Sequence, residues 1–523
     1  MMKKFKVLAV ILSLVMLLSA IGFLAACTEN GGSKEGEFKM IIPDWSSVYD
    51  GRDGENAMVK SAIQEKYKSD TGNDLEFDLT YYPGVSYTQQ VNNVVADEES
   101  DVDAFTMYAG AFLTYASQPG LLMDLTDLLK EYGKNLKEKI PEQYWQAVTY
   151  DGKILGIPDC AAAANDTAFI RMDILEKHGI DTVPTTIEEL EEAFEAFKQE
   201  GMIAFRAPYF QMQKWLSGAF GLPYTDYLDE NGNYTRVESH PNFEKYIETI
   251  QSWRIKGYLS PDYDTVTWQQ NQLDFQAGKQ GMCIGWYSYG ETAYPVLSQI
   301  VPDAEIAHLN VVNGLGADKA DEIGYAPATV INTAVHIFSN SKNAESIIRY
   351  FDWLVSDVDN YMLASTGIDG IHYEFDKENN TLKTKPKYSD PAVKGYNGLY
   401  IMGFNYQIFG EYSNPTRIYD KADAQKAADL TKQARDELDE LKIIWSATQD
   451  KGIIIENSDV NSQLQSHTYN MNVIFSDYII NKSSITGMRA ELDQEVQTAK
   501  STIIDKVGKD VYTYIQELFD AKK

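Results

Sequence analysis

Residues 38–108 switch between two hydrophobic periods, and this alternation restricts the fold more than any other stretch of the chain. Phe38 to Pro43 is a short apolar run that ends at Asp44-Trp45-Ser46-Ser47. Val59, Ile63 and Tyr67 then recur at helical spacing before Thr71-Gly72, whereas Leu75, Phe77, Leu79 and Tyr81 alternate at period two. Val102 to Tyr108 is a further strand-like run. Strand, helix, strand, helix, strand is the repeat of a doubly wound α/β layer, whose ligands are met beyond the carboxyl ends of the strands.

Ahead of this layer stands a leader. Met1 to Lys6 carries three lysines and no acid, Val7 to Ala26 runs without a formal charge, and the stretch closes on Leu24-Ala25-Ala26-Cys27. This is the order of an export signal, residues 1–26, and its end looks like a bacterial lipobox, cut before Cys27 while that thiol receives a lipid. An uncleaved membrane helix is the alternative, because about twenty apolar residues span a bilayer. Small residues before a cysteine suit a processing enzyme better. Both readings put the bulk of the chain outside the cytoplasm. Residues 27–37, polar and Gly-rich after the cysteine, form a flexible tether.

The remaining ~496 residues exceed one compact core and suffice for two or three domains. The whole chain carries a net charge of −31, and the leader's three lysines leave −34 on the rest. Such a surface repels phosphate backbones, which excludes nucleic acid as a partner. With Cys27 assigned to the lipobox, Cys160 and Cys283 read as two buried free thiols, with a single bridge between them as the alternative in an exported chain, and there is no disulfide framework of the small secreted kind.

Further along, Tyr150 to Pro158 (YDGKILGIP) joins a turn, a short strand and a Gly-Ile-Pro stop, as a chain crossing between lobes would. Pro184-Thr185-Thr186 opens a helix with Glu188 and Glu189 placed for a capping box, and Ile187, Leu190, Phe194 and Phe197 form its buried stripe. Phe275 to Tyr289 is a helix end, a glycine break and a strand delivering Trp286 and Tyr287. Ile306 to Val312 and Thr329 to Ala334 are further strands, and Asn343 to Val355 is a helix. The text is irregular and aromatic from Thr366 to about Tyr419; helical stretches follow near Lys421–Trp445 and Met488–Phe519.

Catalytic and metal motifs are missing. The six histidines form no zinc-binding set, and Gly285-Trp286-Tyr287-Ser288-Tyr289-Gly290 lacks the first glycine of a nucleophile elbow. Asp229-Glu230-Asn231-Gly232-Asn233 begins like a calcium loop, but Tyr234 stands at the sixth position and His240 at the twelfth, so a hairpin turn is the better reading. Carboxylate pairs are uninformative among 77 acids, and a secreted glycosidase stays open. What stands out is 34 tyrosines and eight tryptophans, many at turns and strand ends. Flat rings there suit the apolar faces of sugar rings, although each is equally compatible with core packing.

The lipobox, Trp45, the Tyr150–Pro158 stretch, Ile170-Arg171-Met172-Asp173, Pro184-Thr185-Thr186 and Phe275–Met282 occur in an order that resembles the family-1, maltose-binding-like extracellular solute-binding proteins of ABC importers. Gly367 to Tyr373 is similar to a stretch of the large Gram-positive lipoprotein branch. The resemblance implies two α/β lobes joined by a hinge, with an α-rich carboxyl-terminal extension: 38–155 with 325–370, and 156–324 with 371–523. It implies a ligand in the cleft, an oligosaccharide on the aromatic evidence, with a peptide or another solute as the alternative, and it implies no enzymatic step and no cofactor. The partners implied are ABC importer permease subunits and, through the lipid on Cys27, the outer face of the cell membrane, with the protein itself a monomer. An adhesive surface lipoprotein is the rival of another class.

The candidate ligand-binding set is Trp45, Tyr49, Tyr82 and Tyr108 from the first lobe, then Asp159, Asn165 and Asp166 from the segment leaving the crossing. Trp215, Trp268, Trp286, Tyr287 and His372 complete it. Cys160-Ala161-Ala162-Ala163-Ala164 departs from the more polar or aromatic text of the family at this point, so Asp159, Asn165 and Asp166 are its remaining polar contacts.

Overall fold

In the computed structural model, residues 36–44, 53–160, 163–389, 395–403, 408–409, 412, 415–481 and 484–522 are described. Trp45, Tyr49 and Cys27 lie outside them. The first lobe is built from β1 (Glu37–Asp44), β2 (Glu76–Pro83) and β3 (Ala104–Tyr108), with the helix Asp53–Thr71 between the first two. β1 runs parallel to both β2 and β3, which is the layer that the two hydrophobic periods dictate. After a small hairpin, β4 (Thr149–Tyr150) with β5 (Lys153–Ile154), the chain enters β6 (Ile157–Pro158) and leaves for the second lobe.

There it forms β7 (Asp166–Arg171), β8 (Ile203–Phe205), a hairpin of β9 (Asp226–Leu228) and β10 (Tyr234–Arg236), then β11 (Gln280–Trp286) and β12 (Ile306–Leu309). The second sheet has the order β12-β7-β11-β8, with β7 fully buried on both faces. β13 (Thr333–Ile337) then returns to the first lobe and lies antiparallel to β3 on one side and to β6 on the other, giving β2-β1-β3-β13-β6. The strand expected over Thr329–Ala334 thus begins at Thr333, because pairing with β3 extends it to Ile337. Asp229 accepts from the backbone N–H groups of Asn231 and Asn233 at 2.9 and 2.8 Å and closes the β9–β10 hairpin. The capping box forms as Thr186 with Glu189.

Two boundaries move. Ile157 is fully buried in the first core and β6 pairs with β13, so the crossing starts at Asp159 rather than at residue 156. Residues 395–403, expected in the second lobe, pack into the first. Leu399, Tyr400 and Met402 join its core, Tyr400 donates to the Asn56 carbonyl at 2.8 Å, and Thr106 donates to the Met402 carbonyl at 2.7 Å. No periodicity marks this irregular stretch, and its anchors are tyrosine hydroxyls and backbone carbonyls. A small sheet of β14 (Tyr373–Asp376), β15 (Thr381–Thr384) and β16 (Thr416–Ile418) follows the helix Val358–Thr366.

β16 leads into the helix Ala422–Asp439, which lies against the helix Tyr289–Ile300 of the second lobe. That helix stops six residues short of the expected Trp445, and the long final helix is divided into Ile485–Ser501, Ile504–Val507 and Val511–Asp520. Ile503 and Gly508, both with positive φ, mark the two breaks. The helix Ser458–Asn481 buries Met471, Phe475, Tyr478 and Ile479 in the second core, and Met488 and Leu492 join them. Among the described residues no helix is long and apolar enough to cross a membrane.

Gly281 shows how closely the second core is filled. A Cβ there would sit 2.3 Å from the Phe197 ring. Overpacking of this kind costs ~1–3 kcal/mol, so Gly281→Ala should lower the unfolding free energy by that amount in urea titrations, with the m-value unchanged.

Candidate functional site

Two passages of chain join the lobes, one leaving after β6 and one returning into β13. Asp159, wholly buried, opens the first crossing. Its backbone N–H donates to the Thr333 carbonyl at 3.0 Å, and its carboxylate accepts at 3.1 Å from the backbone N–H groups of Asn332 and Thr333 and from the Thr333 hydroxyl. The outgoing and returning strands are therefore fastened by one side chain. Burial drives this carboxyl up to about 7, against the hydrogen bonds from Asn332 and Thr333, which favour the charged form.

Asn165 and Asp166 begin β7 directly beneath the end of β11. Asp166 is the register partner of Trp286, and the Tyr287 N–H donates to the Asn165 carbonyl at 2.8 Å. The Asp166 carboxylate pairs with Lys214 at 3.1 Å, while its backbone N–H donates to the Tyr325 hydroxyl at 3.1 Å. Tyr325, on the returning segment, is held by backbone hydrogen bonds of 2.8 Å to Lys442 and Ile444, and Gln449 donates to the Ala328 carbonyl at 2.8 Å. The stretch after the helix Ala422–Asp439 thus runs alongside the second crossing. It also reaches the first lobe, where the Asp151 N–H donates to Glu456 at 2.7 Å.

Trp286 and Tyr287 stand together, half-buried, with ring centroids 5.9 Å apart. Arg435 lies 4.9 Å over the Tyr287 ring and donates to the Ala164 carbonyl at 2.9 Å, which fixes the aromatic pair from behind. Tyr82 and Tyr108 occupy the carboxyl ends of β2 and β3 and are also half-buried. Tyr108 is the register partner of Thr333, beside Asp159. Trp268 opens the helix Trp268–Gln276 and is half-buried.

Trp215 does not belong to this group. It is only 1% exposed and fills the second core with Met212 and Leu216, since the helix Tyr209–Leu216 turns all three inward. His372 is 5% exposed and has a bracing part. Its Nδ1 accepts from the Ile368 N–H at 2.9 Å, so Nε2 carries the hydrogen and donates to Glu55 at 3.1 Å. Gly367, at φ +107°, passes beside this ring, and a Cβ there would lie 2.8 Å from Nδ1. Burial would raise the Glu55 carboxyl, but hydrogen bonds from Lys387, Tyr388 and His372 outweigh it and hold it below the usual range.

Beside this brace a cavity of about 310 Å³ opens between the lobes. Ser365, Thr366, Tyr396 and Asn397 line it from the first lobe, His372 and Tyr388 from the segment fastened to that lobe through Glu55, Glu291 from the first turn of the helix Tyr289–Ile300, and Arg417 and Tyr419 from β16 and the residue just after it. Hydroxyls, flat rings and one charge of each sign suit a small polyhydroxylated ligand. Burial pushes the Glu291 carboxyl up, while the positive charge of Arg417 acts the other way. Glu291 carries a sequence signal, an acid opening a helix just past strand-end aromatics; Arg417 sits in aperiodic text and carries none.

Residues 53–360 match the model of the bacterial extracellular solute-binding proteins. The chain belongs to that family. This solute-binding protein is 22% identical over 407 residues to the polygalacturonan/rhamnogalacturonan-binding protein YtcQ of Bacillus subtilis, covering 73% of this chain and 77% of that one. It is 27% identical over 298 residues to a carbohydrate ABC transporter substrate-binding protein of Streptococcus pneumoniae, covering 53% and 55% respectively. Its fold is similar to that of the N-glycan transport solute-binding protein NgtS of Streptococcus pneumoniae, with a TM-score of 0.61 at 17% identity over 93% of this chain and 99% of that one.

The buried hinge carboxyl has a measurable signature. Its folded pKa lies above the unfolded value of about 4, so the unfolded chain releases the proton first as pH rises. The stability that Asp159 contributes is full below about pH 4 and declines up to about pH 7. The gap in unfolding free energy between wild type and Asp159→Asn should therefore shift against wild type by about 1 kcal/mol per unit between pH 4.5 and 7, read from urea titrations at several pH values.

Proposed function

We propose that this solute-binding protein captures an oligosaccharide in its interlobe cleft and delivers it to the permease of an ABC importer, without chemically altering it. The observation that carries this reading is the Trp286–Tyr287 pair, held half-exposed where β11 ends, together with the hydroxyl-rich cavity lined by Ser365, Thr366, Asn397 and Tyr396 and by Glu291 from the helix that follows the pair. Sugar rings offer apolar faces to such aromatics and hydroxyls to such polar groups. The carbohydrate ligands of the two curated relatives support the same class.

In this reading the working form is a monomer that hangs from the outer face of the cell membrane by a lipid on Cys27, with the residues between Cys27 and β1 as the leash. Its lobes close on the ligand by bending at the crossings, as hinged binding proteins do. Asp159, Asn165 and Asp166 act through the hinge, positioning Trp286 and Tyr287 against the rings of Tyr82, Tyr108 and Trp268.

Thermal denaturation in the presence of defined plant, microbial and host oligosaccharides and of peptides identifies the ligand, because a cleft ligand stabilises the folded state by mass action. A shift with a peptide and none with any sugar would overturn the carbohydrate reading. With the binding sugar in hand, small-angle scattering should show a contracted particle. Trp286→Ala should weaken binding at least tenfold, about 1.4 kcal/mol, in calorimetric titrations; unchanged affinity would remove the ring from the site. Cys27→Ala should release the protein into the medium and abolish its labelling by a fatty-acid probe.

A further inference from the structure

The charges around the interlobe cavity point to a selectivity that its shape alone does not impose. We propose that Glu291 makes this cavity a site for an uncharged sugar unit at the end of the ligand and turns a uronate away. The inference rests on the carbohydrate reading above and names the class of sugar.

The volume comes first. About 310 Å³ is at the low end of small-molecule pockets, and it leaves room for a terminal unit rather than a run of polymer. The balance of charge comes second. Arg417 and Glu291 contribute one positive and one negative group to the lining. His372 is neutral, since its Nδ1 accepts a backbone N–H, and the nearby Glu55 carboxylate is already engaged by Lys387, Tyr388 and His372. The rest of the lining is phenols, hydroxyls, an amide and a glycine. The cavity therefore has no net charge to offer a ligand.

The place of Glu291 is decisive. It stands in the first turn of the twelve-residue helix Tyr289–Ile300, with Arg417 as its opposite charge. A helix start and a guanidinium are the two features that would attract a ligand carboxylate, and the Glu291 charge stands in the first turn of that helix and in the same cavity lining as Arg417. A uronate could reach Arg417 only by setting two carboxylates around one cation in a half-buried space, where like charges repel strongly. An uncharged ring meets no such penalty. Its vicinal hydroxyls donate to Glu291 and accept from Arg417, so both charged groups keep their hydrogen bonds when water leaves.

Calorimetric titration of the full soluble chain tests this with neutral probes (malto-, xylo-, manno-, galacto- and fructo-oligosaccharides of three to six units) and with oligogalacturonides and oligoalginates of the same lengths. Wild type should bind at least one neutral probe tenfold or more tightly than any uronate probe. Glu291→Gln should shrink that ratio at least tenfold by strengthening uronate binding, and Glu291→Asp, which keeps the charge, should preserve it. A wild type that binds a uronate probe as tightly as the neutral ones overturns the charge selectivity while leaving carbohydrate capture standing. So does a ratio unchanged in Glu291→Gln with a wild-type denaturation midpoint. Binding to neither class overturns the carbohydrate reading and this inference with it. If Glu291→Gln does not fold, the wild-type ratio alone decides.

Discussion

Everything in the cleft hangs on a buried carboxylate. Asp159 leaves the first lobe and, within the same residue, grips the returning strand through two backbone N–H groups and a hydroxyl. Two passages of chain, separated by some 170 positions of sequence, become one ribbon at this point. A single covalent crossing would twist freely. Two crossings fastened side by side bend about one axis, and a clamshell needs that restriction if rings carried on opposite lobes are to meet in register. The cost is a carboxyl removed from water, which shows in its raised pKa.

The aromatic wall depends on this arrangement. Asn165 and Asp166 lie a few residues beyond the clamp, and through β-pairing they set the height and direction of Trp286 and Tyr287. Arg435 then backs the Tyr287 ring from a helix that arrives much later in the chain. The strand end that carries these two rings is thus held from below by the hinge and from behind by the tail. His372 and Glu55 play the equivalent part in the first lobe, joining the start of the helix Asp53–Thr71 to the loop that carries Tyr388 and Tyr396.

What could be read in advance follows from how each part is encoded. The first layer was legible because Val59, Ile63 and Tyr67 against Leu75, Phe77 and Leu79 report two different periods, and period is a local property. The Thr186–Glu189 cap was legible for the same reason. Residues 395–403 were not, because tyrosine hydroxyls and backbone carbonyls far apart in sequence fix them to the first core. Trp286 and Tyr287 were legible as aromatics at a strand end, which is where β11 carries them. Trp215 carried the same label and proved to be core, since a ring near a helix end turns inward when its neighbours Met212 and Leu216 do. Asp159 was singled out as a ligand contact, and its partners are the hinge strands instead. Nothing local distinguishes a carboxylate that meets solvent from one that meets two backbone amides.

The strap formed by residues 442–449 has a consequence for the order in which the molecule matures. An exported chain emerges amino end first, and both sheets are complete once β13 has formed. The backbone hydrogen bonds of Tyr325 to Lys442 and Ile444, and the bond that the Gln449 side chain donates to the Ala328 carbonyl, wait for a segment more than a hundred residues further on. Stiffness of the hinge is therefore acquired only after both sheets. A chain cut short before residue 395 would keep the two sheets and lose the strap between them, together with the part of the first core made by Leu399, Tyr400 and Met402 and the part of the second made by Met471, Phe475, Tyr478 and Ile479.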